Sequence, residues 1–292
     1  DLSEFADLLK RAGYDKVLNT TQVYTVWAPL NGTYDYAELA ATDSATLLRE
    51  FVKNHVTRYN YPASGSIKEN IYLLNNKLQN FVGDNTYTFG GVNVRTPNLA
   101  SSNGVIHTIE GKVNFFSNLY EYLNKRKYAI DSISDYVHKF DVKILDTENS
   151  VVGPTVNGEI TYLDSVFLES NALYSRLNRA YINREDSNFS MILPTNKAWN
   201  DAAARLSPYF NYIPTFKFSD YSSGTLSTIA VKVANDYLRD SLMHYSLVKD
   251  LIFNNNLYSN KALINKTPGS DLSADSLVTT TYDIIYKNDA KD

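Results

Sequence analysis

Four histidines, at positions 55, 107, 138 and 244, are the side chains of this chain best suited to acid–base or metal chemistry. Imidazole titrates near neutrality and is the commonest protein metal ligand. A zinc site gathers His, Cys or carboxylate ligands at short local spacings, and these four positions show no such spacing. Cysteine is absent from all 292 residues, which excludes thiolate metal sites, thiol nucleophiles and disulfide scaffolds together. As a general base, His107 would need a Ser or Asp in a recognisable relation to it. It reads instead as a partly buried ring that satisfies backbone groups beside the Asn103-Gly104 turn. His55 and His244 receive the same reading. Asp141, Asp146 and Glu148 cluster near Val142, and Glu185-Asp186 precede an apolar strand. A glycosidase needs two carboxylates facing each other across a cleft, and these read as solvated faces. Neither GxxxxGK[ST] nor GxGxxG occurs, nor an HExxH helix, a GxSxG elbow or an EF-hand loop. The expectation is therefore no catalytic residue, no cofactor and no metal.

Contact chemistry is better represented. The chain holds 23 Tyr, 13 Phe and 2 Trp, and tyrosine joins an apolar body to a polar tip suited to wet surfaces. Tyr59 and Tyr61 stand in the polar loop Tyr59-Asn60-Tyr61-Pro62 and are candidate partner-binding residues. Asn31 and Asn196 each follow a proline at the end of a strand, where an amide caps backbone N–H groups; a binding role is the second reading. Charge is nearly balanced, 28 basic against 32 acidic residues, with a pI of 5.6 and no basic stripe, which excludes a nucleic-acid partner. No apolar run is long enough for a transmembrane helix. The sequons at Asn19, Asn31, Asn188 and Asn265 occur at the frequency this Asn-, Ser- and Thr-rich composition yields by chance. The chain starts at Asp1, so an export or lipoprotein leader, and with it a lipid anchor, would belong to a precursor.

The elements that must position these residues follow from periodicity. Leu2, Phe5, Ala6, Leu8 and Leu9 mark one helix face, stopped at Gly13. Val23 to Ala28 is a strand ended by Pro29, and a helix follows Asp43 as N-cap with Leu47, Leu48, Phe51, Val52 and Val56 on one side. After a loop at Pro62–Ser66 come short strands at 71–74, 79–82, 86–89, 92–94 and 105–109; Gly90-Gly91 makes a two-residue hairpin and Asn103-Gly104 a turn. Residues 119–123 and 130–140 read as helical, and Gly153-Pro154 and Asn157-Gly158 bracket a hairpin. Phe167, Ala172, Leu173, Leu177 and Tyr181 predict a helix, 189–193 a strand, and 234–253 a further helix. Helices followed by runs of strands define an α+β chain.

Its length predicts about two domains, and an internal repeat supplies them. Tyr24-Thr25-Val26-Trp27-Ala28-Pro29-Leu30-Asn31 aligns with Phe189-Ser190-Met191-Ile192-Leu193-Pro194-Thr195-Asn196 at an offset of 165 (24 to 189). A helix precedes each copy, and a helix bearing His55 or His244 follows it. At the histidines the offset is 189 (55 to 244), which places an insertion of about 24 residues around Asn211–Ile229.

At these residues the sequence resembles the fasciclin domain family. Thr25 to Asn31 is similar to the family's first motif, Thr-Val-Phe-Ala-Pro-Thr-Asn, with Pro29 in place, Trp27 for Phe and Leu30 for Thr. Phe51 to Val56 resembles the histidine-containing middle segment. Asn103-Gly104-Val105-Ile106-His107-Thr108-Ile109 resembles the closing motif. In the second copy, Pro194-Thr195-Asn196 follows the first motif more closely, His244 stands for the middle histidine, and the closing strands are not recognised. The resemblance implies an α+β fold of two tandem fasciclin-like domains, each a β wedge of short strands with helices packed on one side. The first would span 1–118 and the second 119–292, opening with a helix and hairpin connector over 119–164. The implied function is extracellular or cell-surface adhesion without catalysis, toward a protein or polysaccharide partner. The alternatives are a glycan-binding accessory of a polysaccharide-uptake system and a carboxylate-based hydrolase. The family's Tyr-His receptor-binding pair has no match, since Asn54 and Met243 precede the histidines. The Tyr- and Asn-rich, Cys-free composition resembles exported surface proteins of Bacteroidota.

Overall fold

The computed structural model describes residues 1–220, 225–233, 235–257, 260 and 276–286. It is an α+β protein, and it divides into two compact units. The first comprises 1–116 with 144–168; the second comprises 117–143 with 169–292.

The first unit opens with α1 (Ser3–Arg11) and the short α2 (Asp15–Leu18), then β1 (Tyr24–Pro29), α3 (Tyr36–Ala41) and α4 (Ser44–Thr46). Asp43 caps α4 by accepting from the Thr46 N–H at 3.0 Å. The helix then widens into a π turn over Leu47–Val52 and tightens to a 3₁₀ turn over Lys53–His55 before β2 (Val56–Arg58). β3 (Ile67–Tyr72), β4 (Leu78–Asp84), β5 (Thr86–Phe89), β6 (Val92–Ser101) and β7 (Gly104–Ile109) complete a sheet of order β2-β1-β7-β6-β5-β4-β3. β1 is its hinge: antiparallel to β2 and parallel to β7 over all six residues, Tyr24 opposite Gly104 and Pro29 opposite Ile109. Pro29 is the last residue of the strand, as expected. β2 pairs only as far as Val26, so the missing N–H of Pro29 deprives no ladder partner. β6 runs on to Ser101, past the expected end at Val94, by absorbing two irregularities around Thr96.

The period of two along β1 sorts its side chains into two cores. Tyr24, Val26 and Ala28 join Phe5, Leu8, Val17, Phe51, Val52 and Val56 on the helix side. Trp27 faces the other way, into Ile71, Phe81, Tyr87, Phe89, Ile109 and Val113.

The second unit holds α5 (Leu119–Asn124) and α6 (Asp131–His138). β8 (Asp141–Val156) and β9 (Glu159–Asn171) then pair as a ribbon turning at Asn157-Gly158, both in the left-handed region. Their outer parts, 144–168, count with the first unit. The helix expected from Phe167 to Tyr181 is corrected here: Phe167 belongs to β9, and only Ala172–Arg176 is helical (α7), capped by Asn171 through the Leu173 N–H at 2.9 Å. β10 (Phe189–Met191), α8 (Asn196–Leu206), β11 (Tyr212–Asp220), β12 (Thr225–Lys232), α9 (Asp236–Lys249), β13 (Ile252–Asn254), β14 (Ser276–Val278) and β15 (Ile284–Tyr286) follow. The insertion read near Asn211–Ile229 is the β11–β12 pair. One core joins Leu123, Ile133, Tyr136, Leu173, Leu177, Trp199, Val248 and Ile252.

Hydrogen bonds expose the internal repeat in detail. Asn31 Oδ1 accepts from the Glu4 N–H in the first turn of α1, and Asn196 Oδ1 accepts from the Ser132 N–H in the first turn of α6. The helix equivalent to α1 is thus α6, at an offset of 128 (Glu4 to Ser132). The β8–β9 ribbon separates it from β10. Val56 pairs with Val26, and Ile252 with Met191, so the offset has become 196 (56 to 252) at the second strand. Leu73 and Lys77 close a turn through N–H to C=O at 2.8 Å, with Asn76 left-handed. Thr279 and Asp283 close the same turn at 2.9 Å, with Tyr282 left-handed, an offset of 206 (73 to 279).

Candidate functional site

The motif residues of the first unit are fastened to backbone. Thr25 is fully buried: its hydroxyl donates to the Tyr59 carbonyl at 2.8 Å and accepts from the Tyr61 N–H at 2.9 Å. His107 Nε2 donates to the Tyr61 carbonyl at 2.9 Å, and its Nδ1 accepts from the Asn98 N–H at 3.2 Å. The 59–61 loop is therefore held from two strands. His55 Nδ1 donates to the Phe51 carbonyl at 2.7 Å while Nε2 accepts from the Val113 N–H at 2.9 Å. Each ring is satisfied as neutral imidazole, one nitrogen donating and one accepting. Burial pushes the His55 pKa down to about 4 and lowers that of His107. Asn103 donates to the carbonyls of Leu18, Thr20 and Gln22 at 2.8–3.1 Å, sewing the approach to β1 onto β7. At Gly104 a Cβ would lie 1.8 Å from the Tyr24 carbonyl oxygen, so no larger residue fits that closely paired position.

The loop so held presents one side chain outward. Tyr59 is 68% exposed and adopts φ +70°, a conformation uncommon for residues other than Gly. Tyr61 instead packs against the core around Trp27. The two tyrosines thus have different surroundings. The Asn31 amide also donates to Ser3 Oγ at 2.8 Å, and the Asn196 amide to Asp131 Oδ2 at 2.9 Å, so both are engaged as helix caps. Thr195 caps α8 through the Ala198 N–H, immediately after Pro194.

His244 lies in the middle of α9, stacked on Trp199 at 5.3 Å and near Tyr136 at 5.6 Å, and burial lowers its pKa. It is not the positional equivalent of His55. The strand register places Leu251 there (55 plus the offset of 196), and His244 sits seven residues, about two helical turns, before it.

A second constellation was not assembled by sequence reasoning. Asp141, at the start of β8, accepts from Tyr120 Oη and Asn171 Nδ2 and faces His138 Nδ1, each at 2.8 Å. Tyr120, Asp141 and Asn171, with Tyr174, Asn183, Lys143 and Glu169, line a small, partly open hollow with room for about one water molecule. The hydroxyl of Tyr174 and Oδ1 of Asn183 are buried without a partner. Asp141 is held by surrounding donors, while Glu169 is ion-paired with Lys143 at 2.5 Å. That arrangement pins a carboxylate and differs from the pair of free acids facing across a cleft that a glycosidase uses. The i,i+3 spacing of His138 and Asp141 was the one available signal; Asn171 lies 30 residues further on. Among the described residues, no group of three or more His, Asp or Glu is placed to hold a metal ion. No described helix is long and apolar enough to cross a membrane.

The family model of the fasciclin domain matches residues 1–112, the segment that contains β1, the His55 turn and β7. The chain is similar, at 14% identity, to a solved FAS1 domain pair from the insect cell adhesion molecule Fasciclin I. The alignment covers 99% of this chain and 85% of that one, with a TM-score of 0.33. No curated protein matches the chain. Fasciclin domains generally serve adhesion or binding, are typically non-catalytic, and are typically extracellular or surface-associated.

Proposed function

We propose that this chain is a cell-surface or extracellular adhesion module without catalysis, which recognises a protein or glycan partner. It acts as two tandem fasciclin-like domains, the first built on 1–116 with the ribbon 144–168 and the second on 117–143 with 169–292 rather than on contiguous halves meeting at 118. The observation that carries this reading is the 59–61 loop. Thr25 and His107 immobilise its backbone, and the Tyr59 ring stands in solvent. A rigid, amphipathic side chain of this kind contributes contact area at little cost in conformational entropy. Tyr59 is the contact residue in this reading, and Tyr61 anchors the same loop against the core around Trp27; Asn31 and Asn196 are candidates of lower rank, since each already caps a helix.

The test is a pull-down against surface proteins and polysaccharides, comparing the wild-type chain with Tyr59→Ala. Partner binding should weaken by about tenfold or more, while unfolding stability changes by less than about 0.5 kcal/mol. Full binding by the variant would overturn the assignment of this surface. Capture of polysaccharide alone would favour the accessory role in glycan uptake over protein adhesion.

A further inference from the structure

Asn-Gly occurs three times in the chain, at 31–32, 103–104 and 157–158. The pair carries its own chemistry. The backbone nitrogen of the glycine can attack the asparagine Cγ, because no side chain on the glycine crowds the approach and the five-membered ring that forms is unstrained. Two of the three pairs are tied down. At the first, Asn31 Oδ1 accepts from the Glu4 N–H at 3.1 Å and its amide donates to Ser3 Oγ at 2.8 Å, while the Gly32 N–H donates to Glu4 Oε2 at 3.1 Å. At the second, Asn103 Nδ2 donates to three carbonyls at 2.8–3.1 Å. The Gly104 backbone lies so close to Tyr24 that a Cβ would meet its carbonyl oxygen at 1.8 Å. Turning either amide toward the following nitrogen breaks these bonds. The third pair is different. Asn157 and Gly158 are exposed at the tip of the β8–β9 ribbon, with φ of +53° and +85°. They form its two-residue turn, whose N–H groups lie outside the ladder. The Asn157 amide has no hydrogen-bond partner among the described residues, and a Cβ at Gly158 would meet nothing within 4 Å.

We infer that Asn157 is a site of spontaneous self-modification, with water as the only co-reactant, and that the fold spares Asn31 and Asn103. The Gly158 N–H gives its proton to hydroxide, and the nitrogen forms a bond to Asn157 Cγ. The Cγ–Nδ2 bond breaks, and the amide nitrogen leaves as ammonia after taking a proton from water. Water then opens the resulting succinimide at either carbonyl, to aspartate or to isoaspartate. No electron changes hands. Both products place a new negative charge on the ribbon tip, and isoaspartate adds a main-chain carbon to a turn whose length sets the strand register. Loop tips open locally at low free energy, which ring closure needs. Gly104, by contrast, begins a strand paired on both sides. The ribbon tip is separate from the surface around Tyr59, and the modification proceeds whether or not Tyr59 binds a partner.

The experiment ages the purified chain in mildly alkaline buffer and maps its peptides by mass spectrometry, with fragmentation that separates aspartate from isoaspartate. The same chain unfolded in urea is the reference. In the folded chain Asn157 should convert at least about tenfold faster than Asn31 or Asn103. In urea the three should convert at similar rates, because only the fold distinguishes them. Asn157→Gln, whose longer side chain would have to close a six-membered ring, should abolish the modification of the ribbon and leave the slow conversion at Asn31 and Asn103 unchanged. Conversion of Asn157 as slow as that of the other two in the folded chain would overturn the inference. So would the same ranking of rates in urea, which would place the selectivity in the neighbouring residues rather than in the fold.

Discussion

Trp27 and Ile192 stand at the same place in the internal repeat, each on a strand that leads through proline to an asparagine capping an earlier helix. Trp27 lies flat against Phe89 at 3.8 Å and edge-on to Phe81 at 5.7 Å, with His107 beyond. Ile192 is half in solvent. On the inner face the two strands agree: Tyr24 and Val26 on one, Phe189 and Met191 on the other, pack against helices. The helical layer is thus reproduced in both units, while the layer over the opposite face is described only in the first. Whether an apolar side chain on a strand becomes core depends on what crosses its outward face, which local sequence alone does not specify.

The sharpest way to break that comparison is to truncate both residues. Trp27→Ala should cost about 3–5 kcal/mol, because it empties a packed site ringed by aromatics. Ile192→Ala should change stability by less than about 0.5 kcal/mol. Urea midpoints would report both, and equal losses would show that the outward face of β10 is covered as fully as that of β1. Next in size is a buried carboxylate in the first unit. Asp164 accepts from Tyr14 Oη at 2.8 Å and pairs with Lys53 at 2.6 Å, with both side chains of the ion pair largely buried. Lys53→Met leaves that charge facing only a tyrosine, so a loss of about 3 kcal/mol is expected. In the second unit Asp141 is served by Tyr120, Asn171 and His138, with no Lys or Arg bonded to it among the described residues. Lys143→Met, whose ion pair with Glu169 is exposed, should cost less than about 1 kcal/mol.

Much of the first unit was legible in the sequence because its special positions have few solutions. Asn103-Gly104 must turn tightly against another strand, Gly90-Gly91 must adopt positive φ, and Asp43 must cap a helix; all three are seen. What stayed hidden depends on distance along the chain. Tyr14 meets Asp164 across 150 residues, and no local pattern announces that meeting. Helical periodicity also misled where helices and strands share apolar residues. Phe167 fits a helix face in sequence but lies in β9, where the Asp164 side chain accepts from Tyr14 Oη and the Val166 N–H donates to Ser150 Oγ. The pairing of His244 with His55 failed for a related reason: a helix repeats its faces every turn, so a shift of seven residues preserves the apolar pattern, and only strand register reveals it. The Tyr59 loop was readable as polar, but the separate fates of Tyr59 and Tyr61 follow from the Thr25 and His107 bonds, which composition does not report. Asn265 lies outside the described residues.

Acid should separate the units further. His55 is neutral when folded, with its pKa pushed down to about 4 by burial, whereas in the unfolded chain it takes up a proton near 6.5. Above about pH 6.5 both states are neutral and the stability is complete. As pH falls, the unfolded state binds the proton first, and about 1.4 kcal/mol is lost per unit down to about pH 4, roughly 3 kcal/mol in all. His107 acts in the same direction. His244 also has a lowered pKa, but it lies at the edge of its core rather than inside it. Denaturant unfolding at pH 7 and pH 4.5 should show the first unit losing more than the second. His55→Gln should flatten that difference even if it lowers stability at neutral pH, and equal acid losses with His55 intact would refute the assignment.

The smallest effect tests the feature the units share. Asn31 and Asn196 each satisfy an otherwise unpaired N–H in the first turn of a distant helix, at 3.1 and 2.8 Å. Removing either cap as Ala should cost about 1 kcal/mol. The two sites share no partner, so the double variant should lose the sum to within about 0.5 kcal/mol. A negligible loss at Asn196 beside a full loss at Asn31 would mean that the cap between the repeated strand and the repeated helix matters energetically only where the wedge strands hold that strand in place.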